Sequence, residues 1–344
     1  MIKTVIRLKY PGFFQRYLEE EYLSDDEVLI QPKYGAICKA DLRYFYGLRP
    51  QEVLQHKLPS ALIHEATAIV LYDPLGKIAT GQAVIPVPNT PCTAETADDW
   101  YTSNYALDTQ FRSSGYDGYA QNLLAHRRDL LVPYESSFVT NGSLSVFAEL
   151  ISVAVHALHR ALHFPTKREV VAVWGDGLVG YITSLVIKKL LPESKLVCII
   201  KHPERADYFY HADDLLITGA ILKHFSCDLA FECVGGNASE TALKEILVYL
   251  EPNGIGVLTG VTEGTVPIET RMVLDKGLTF LGSSRSTQLD FSAAVPLLQD
   301  PWFAGKLEQV ITDIYVIRDE SDLEKAFRTA GGTSFGKVLL EFAF

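Results

Sequence analysis

The stretch that most constrains the fold runs from Lys167 to Leu191. Val170-Val171-Ala172-Val173-Trp174 is an unbroken apolar run, the composition of a strand buried on both faces. Gly175-Asp176-Gly177-Leu178-Val179-Gly180 follows, and Ile182 to Leu191 then carries a helical apolar period. Strand, G-x-G-x-x-G and helix in this order form a dinucleotide fingerprint in its required context. Gly175 is expected to permit the tight turn and Gly177 to let a pyrophosphate approach the backbone. Gly180 is expected to let helix and strand pack closely. Leu178 is a further cofactor-binding candidate, and the first N–H groups of the helix offer an anion site. The bland alternative is an ordinary glycine turn.

At 344 residues the chain has the length of about two domains, and 48% hydrophobic residues suffice to bury two cores. The net charge of −11 is spread along the chain with no basic run, which argues against a nucleic-acid or anionic-membrane surface. The amino terminus alternates like a strand and lacks a signal-peptide core. Leu144 to Ala161 is the most apolar helical stretch, but Glu149, His156, His159 and Arg160 interrupt it, so no bilayer span is expected. Five cysteines at irregular spacing describe no disulfide framework. The expectation is a cytoplasmic protein.

Up to about residue 140, short strand-like runs alternate with Gly and Pro, as in Glu27–Ile30, Ala66–Val70 and Ala83–Pro88. That texture predicts an antiparallel or barrel-like β-domain. Pro91 to Asp108 reads as a long surface loop, and Gly142 to Phe164 as a helix crossing to a second domain. From Glu169 to about Ser284, apolar strands alternate with helices, which predicts a parallel, doubly wound sheet. The strands expected are Glu169–Trp174, Lys195–Ile200, Leu215–Ile217, Asp228–Cys233, Gly254–Thr259 and Thr279–Gly282. The tail is expected to carry a helix at Leu289–Leu298, a strand at Lys306–Thr312, a helix at Ser321–Thr329 and a strand at Gly336–Phe344.

Cys38, His64-Glu65 and Glu149 precede the nucleotide segment and have the donor chemistry zinc takes. Spacing alone leaves a small core thiol and a satisfied histidine as alternatives. Cys198, Cys227 and Cys233 sit in or beside apolar strands and read as packing residues. His156, His159 and His163 share a helix stripe, which more often caps or packs than binds metal.

Taken together, these segments resemble the zinc-dependent medium-chain dehydrogenases of the alcohol and polyol dehydrogenase superfamily. The resemblance is carried by Cys38 with Asp41, His64-Glu65, Asp117-Gly118-Tyr119-Ala120-Gln121, Glu149 and Gly175–Gly180. Glu232-Cys233-Val234-Gly235-Gly236 and Lys276-Gly277…Gly282-Ser283 extend it over nearly the whole chain. Within that superfamily the chain is similar to the ribulose-5-phosphate reductases that make ribitol 5-phosphate for teichoic-acid and capsule precursors. Here the match lies in Leu58-Pro59…Ile63-His64-Glu65, Phe111 to Gly118, Trp174 to Gly177, Phe231 to Gly236 and Gly282-Ser283-Ser284-Arg285-Ser286.

The resemblance implies an α/β fold, a Rossmann doubly wound parallel sheet plus a GroES-like β-barrel catalytic domain. The catalytic domain would comprise 1–143 and 287–344, and the nucleotide domain 144–286. It implies one zinc on Cys38, His64 and Glu149, with Glu65 as a fourth or exchanging ligand and Asp41 orienting the imidazole through its other ring nitrogen. Ser284 would lie at the cofactor. Zinc and NADPH would meet between the domains, with the C2 carbonyl of ribulose 5-phosphate polarised there. The product would feed CDP-ribitol synthesis for wall teichoic acid or capsule. A homodimer and a ribitol-5-phosphate cytidylyltransferase working beside it are implied as well.

Three departures bear on chemistry. Ala40 stands where many relatives carry a proton-relaying Ser or Thr, so a water or another hydroxyl must supply the proton. Ile63 replaces the usual Gly before His-Glu. The four-cysteine lobe that binds a structural zinc is missing, and Cys92 is the only cysteine between Val70 and Gly118.

An NAD-selective domain places an acid about 20 residues past the fingerprint, on the ribose hydroxyls. The strand Leu196–Ile200 instead ends in Lys201-His202-Pro203-Glu204-Arg205. Lys201 and Arg205 would attract a 2′-phosphate, which favours NADP(H) over a merely solvated turn. For a sugar phosphate, Arg43 and Arg112 are the candidate clamps, each otherwise a surface ion-pair partner. The rival functions are a zinc polyol or alcohol dehydrogenase for an unphosphorylated sugar alcohol, and a non-catalytic nucleotide-binding relative. Intact Cys38, His64 and Glu149 argue against the second.

Overall fold

The computed structural model describes residues 1–91, 101, 110–135, 142–219 and 225–344. They divide into two compact units, Met1–Glu149 with Thr287–Phe344, and Leu150–Ser286.

The second unit is built on six parallel strands. Their order is Asp214–Ile217, Lys195–Ile200, Val170–Trp174, Cys227–Glu232, Leu250–Leu258 and Thr279–Gly282. The two strands that follow the first one in sequence lie to one side of it and the other three to the opposite side. That is the nucleotide-binding order, with its switch point at the tip of Val170–Trp174. Val171, Ala172, Val173, Leu229, Ala230 and Phe231 are wholly buried, which explains the lack of alternation in these strands. The helix Leu178–Leu190 begins inside the fingerprint, four residues before its apolar period becomes visible in the sequence.

The first unit carries a seven-stranded, mainly antiparallel sheet. Its path runs Ile311–Ile317, Lys337–Phe342, Glu27–Ala36, Glu65–Tyr72, Ala83–Pro86 and Leu131–Tyr134, with Leu124–Arg127 also on Glu27–Ala36. The hairpin Ile2–Tyr10 and Phe13–Glu20 pairs separately. The core includes Val5, Ile6, Phe14, Phe45, Leu62, Ile63, Tyr119, Phe327 and Leu340. A carboxylate clasp joins distant segments here: Arg7 Nε lies 3.0 Å from Asp117 Oδ2, and Asp117 Oδ1 accepts the Ala61 N–H at 2.7 Å. Asp117-Gly118 is therefore a framework motif, fastening the approach to His64.

The expected strand at Lys306–Thr312 is incorrect. Pro301–Glu308 is a helix, and the strand is Ile311–Ile317. Asp300 accepts the Phe303 N–H at 3.0 Å with proline at the first helical position, a helix start signal that outweighs the apolar run. Most of the Pro91–Asp108 loop lies outside the described residues. Gly142–Leu162 is long and apolar enough to cross a membrane, yet 78% of its most apolar window is buried inside the protein, as in a core helix.

Candidate active site

Cys38 ends the turn after Glu27–Ala36 and caps the short helix Lys39–Phe45. Asp41, in the first turn of that helix, accepts the Cys38 N–H at 3.2 Å and the Ile63 N–H at 3.3 Å. One buried carboxylate thus ties the cysteine segment to the residue before His64. Burial opposes ionisation of Asp41, but His64 and these two N–H groups outweigh it and hold the carboxyl below its ordinary value.

Ile63 takes φ +75°, a left-handed conformation that is a true outlier for a β-branched residue. Its N–H is held by Asp41 and its carbonyl accepts the Tyr119 N–H at 2.8 Å, while its side chain is fully buried. The surroundings over-determine the strained backbone, as they must for such a conformation to persist. A glycine would adopt it freely.

The donor atoms of Cys38, His64 and Glu65 lie within 4.8 Å of one another, and among the described residues this is the one grouping close enough for a metal ion. His64 Nδ1 is 2.9 Å from Ser113 Oγ and 3.6 Å from Asp41 Oδ2, so this nitrogen is occupied and Nε2 is the one left for a metal. Phe111 packs on the imidazole with centroids 5.4 Å apart. Burial disfavours the imidazolium, but the Asp41 charge outweighs it and raises the His64 pKa.

Glu65 Oε1 receives Lys337 Nζ at 2.6 Å, with both side chains buried, while Glu65 Oε2 is buried without a partner. Glu149, half-buried, has its pKa raised by desolvation and then by the neighbouring Glu65 charge. A thiol, an imidazole nitrogen and a carboxylate with one orphaned buried oxygen are donors that zinc takes, so this set fits the metal.

Of the candidate clamps, Arg43 is half-buried on Lys39–Phe45. Arg112 is turned inward: Nη1 donates to the Asp117 carbonyl at 3.0 Å and the guanidinium packs on the Tyr116 and Tyr119 rings. This inward placement does not match the alternative reading of Arg112 as a surface ion-pair partner. Sequence reasoning also passed over Ser113, Lys57 and Lys337. Lys337 comes from 272 residues away in the chain and left no local signal.

In the second unit, Gly175 takes φ +125° at the tip of Val170–Trp174. A Cβ on Gly180 would lie 2.0 Å from the Gly175 carbonyl oxygen, whereas one on Gly177 would meet nothing within 4 Å. Gly180 is therefore required by packing and Gly177 leaves open space above the helix start, the cradle a pyrophosphate needs.

Lys201 is exposed at the end of Lys195–Ile200. An acid does stand at that strand tip, contributed by the fingerprint itself. Asp176 Oδ2 accepts the N–H groups of Lys201 at 2.9 Å and His202 at 2.7 Å and lies 2.9 Å from His202 Nδ1. Its Oδ1 accepts Arg205 Nη1 at 3.1 Å. A carboxylate so fully engaged serves the cationic turn as an anchor. Ser284 is exposed, two residues past the strand Thr279–Gly282.

The remaining motif residues are structural. Glu232 accepts the N–H groups of Val234, Gly235 and Gly260, closing the loop after its strand. Lys276 Nζ donates to the carbonyls of Leu247, Val248 and Leu250. Cys198, Cys227 and Cys233 are buried, and burial raises each thiol's pKa. His163 Nδ1 is 2.7 Å from the His159 carbonyl, a helix-end contact.

Residues 24–136 match the alcohol dehydrogenase GroES-like domain. The chain is 38% identical to a ribulose-5-phosphate reductase of Bacillus spizizenii, over 99% of both chains. It is 37% identical to ribulose-5-phosphate reductase 1 of Staphylococcus aureus, again over 99% of both. The crystal structure of S. aureus TarJ in complex with NADPH superimposes with a TM-score of 0.87 at 34% identity, covering 100% of both chains. With its Rossmann-type sheet, GroES-like domain and zinc-type donor set, the chain belongs to the ribulose-5-phosphate reductases of the medium-chain alcohol dehydrogenase family.

Proposed function

We infer that this chain reduces D-ribulose 5-phosphate to D-ribitol 5-phosphate with NADPH. The observation that carries this reading is full-length identity of 34–38% to three reductases named for that substrate. The geometry of both units supports it.

We propose that Cys38, His64 and Glu149 hold zinc, with Glu65 as a further or exchanging ligand. Bound there, zinc supplies Lewis-acid polarisation of the carbonyl at C2. Ser113 and Asp41 fix the imidazole so that Nε2 faces the metal position. Lys337 holds one Glu65 oxygen, which limits how far that carboxylate can swing. Gly177 and the N–H groups beginning at Leu178 receive the cofactor pyrophosphate. Lys201 and Arg205, ordered by Asp176, meet the 2′-phosphate and set the preference for NADPH. Ser284, exposed after the last parallel strand, completes the cofactor edge. Because Ala40 has no hydroxyl, a water or a pocket hydroxyl protonates the product oxygen.

Residues 1–143 with 287–344 are proposed as the catalytic domain and 144–286 as the nucleotide domain. We further propose a cytoplasmic homodimer that works beside a ribitol-5-phosphate cytidylyltransferase in CDP-ribitol supply for wall teichoic acid or capsule. Arg43 and Arg112 were the sequence candidates for the phosphate. The inward commitment of Arg112 favours, as a second reading, a dehydrogenase acting on an unphosphorylated polyol. The test is product identification: incubation with NADPH and ribulose 5-phosphate should yield a pentitol phosphate, mole for mole with NADPH consumed. Finding only unchanged ketose phosphate, with turnover of an unphosphorylated sugar, would favour the second reading.

A further inference from the structure

The turn that follows Lys195–Ile200 holds a histidine outside the cationic pair Lys201 and Arg205. His202 is the second residue past the strand and stands at the start of the short 3-10 helix Pro203–Phe209. Its Nδ1 lies 2.9 Å from Asp176 Oδ2, and the same oxygen accepts the His202 N–H at 2.7 Å and the Lys201 N–H at 2.9 Å. Asp176 itself stands between the first two glycines of the fingerprint. One carboxylate therefore ties the fingerprint turn to the strand tip and fixes an imidazole there.

The two ends of this imidazole differ. The Asp176 side chain is 8% exposed and the His202 side chain 39%. Burial opposes ionisation of Asp176, but the His202 and Lys201 N–H groups and the imidazole outweigh it and hold the carboxyl below its ordinary value. An ionised carboxylate only accepts, so Nδ1 carries the shared proton. The two nitrogens of the ring point to opposite sides, and Nε2 faces away from Asp176. Among the described residues Nε2 has no hydrogen-bond partner. One nitrogen is committed and the other is open.

The open nitrogen stands where this fold discriminates between cofactors. An NAD-selective strand tip presents an acid to the ribose hydroxyls. Here the acid comes from the fingerprint, is buried, and is engaged by the N–H groups of the tip itself. What the tip offers to solvent is Lys201, exposed and without an ion pair among the described residues, and His202 Nε2. With a carboxylate at one nitrogen and a phosphate at the other, an imidazole is stable as the imidazolium. The contact to phosphate is then a charge-assisted hydrogen bond.

We propose that His202, oriented by Asp176, is a specificity-determining residue that donates from Nε2 to the 2′-phosphate of NADPH. Asp176 is the positioning residue, because it fixes the ring and sets the distance between the strand tip and the pyrophosphate turn. The proposal rests on the reading that this strand tip meets the 2′-phosphate and deepens it by naming the group that Asp176 orients.

The experiment titrates zinc-loaded full-length enzyme with NADPH and with NADH, which differ only in the 2′-phosphate, and follows nicotinamide fluorescence. Asparagine places its amide where Nδ1 stands, so His202→Asn keeps the Asp176 contact and removes Nε2. Glutamine places its amide near the Nε2 position, so His202→Gln does the reverse. H202N should weaken NADPH roughly tenfold or more, the loss of one charge-assisted contact, and leave NADH near native. H202Q should recover part of that loss. A latch with no contact to the cofactor would behave in the opposite way, with H202N native and H202Q impaired toward both cofactors. Native NADPH affinity in H202N, or equal weakening of NADPH and NADH in it, overturns the proposal. Native enzyme that binds NADH as tightly as NADPH would instead defeat the underlying reading, before any variant is compared.

Discussion

The two glycines of the fingerprint make opposite predictions, and the contrast separates packing from cofactor binding. A methyl group on Gly180 would sit 2.0 Å from the Gly175 carbonyl oxygen, so helix and turn must move apart. Overpacking of this kind costs about 1–3 kcal/mol, and the obstacle here is backbone, which cannot rotate aside. Gly180→Ala should therefore lower the melting temperature of its unit by several degrees, at roughly 2–4 °C per kcal/mol for a unit the size of Leu150–Ser286. Gly177 differs because its Cβ would meet nothing within 4 Å and its backbone, φ −84° and ψ 178°, suits any residue. Alanine is a poorer helix cap than glycine, but it also restricts the unfolded chain, and the two effects of about 0.5–1 kcal/mol oppose each other. Gly177→Ala should melt within about 2 °C of native. It should nonetheless weaken NADPH about tenfold or more, because the methyl fills the space assigned to the pyrophosphate. Fluorescence titration with NADPH and a thermal melt of each variant suffice. Native NADPH affinity in G177A would refute the cradle, and native melting of G180A would refute the packing.

Neutralising Lys201 and Arg205 together should weaken NADPH far more than NADH, since each charge-assisted contact is worth roughly 1.5–3 kcal/mol; equal loss for both cofactors in binding titrations would place the 2′-phosphate elsewhere. Cys38→Ala should lose bound zinc, read by metal analysis at one ion per native chain, while NADPH binding stays close to native because the fingerprint belongs to the other unit. Asp73 accepts the Leu75 and Ile78 N–H groups and a bidentate Arg128, and the Arg128 hydrogen bonds, ahead of those N–H groups, hold its carboxyl well below the usual range. Its stabilising contribution is thus present above the ordinary carboxylate pKa and is lost as pH falls through the lowered folded value. Asp73→Asn should destabilise the chain by about 2–4 kcal/mol near neutral pH, with the difference from native shrinking in acid melts.

What could be read from the sequence followed from local physics. The parallel strands were visible because burial on both faces leaves uninterrupted apolar runs, and Lys195–Ile200 and Thr279–Gly282 fall at the expected residues. Cys38, His64 and Glu149, with Glu65 as a fourth or exchanging ligand, were marked by resemblance; the fold groups the ligand atoms of Cys38, His64 and Glu65 within 4.8 Å, and Glu149 is not in that group. The interactions that tune them were not visible. Ser113 reaches His64 across 49 residues and Lys337 reaches Glu65 across 272, and neither contact leaves a periodic or motif signal. Asp176 shows a subtler limit. Counting forward from the fingerprint for an acid misses one that lies inside the fingerprint and folds back onto the strand tip. The helix Pro301–Glu308 does carry a sequence signal, the Asp300-Pro301 helix start, which outweighs the strand-like apolar residues that follow.

The most direct measurement is the initial rate of NADPH oxidation by zinc-loaded enzyme, with ribulose 5-phosphate and free ribulose at equal concentration. The expected result is rapid oxidation with the phosphate ester and a rate at least tenfold lower with free ribulose, because binding energy from the phosphate is used at C2. Equal rates with the two ketoses, or oxidation of NADH as fast as NADPH at limiting cofactor, would contradict a phosphate-specific, NADPH-selective reductase.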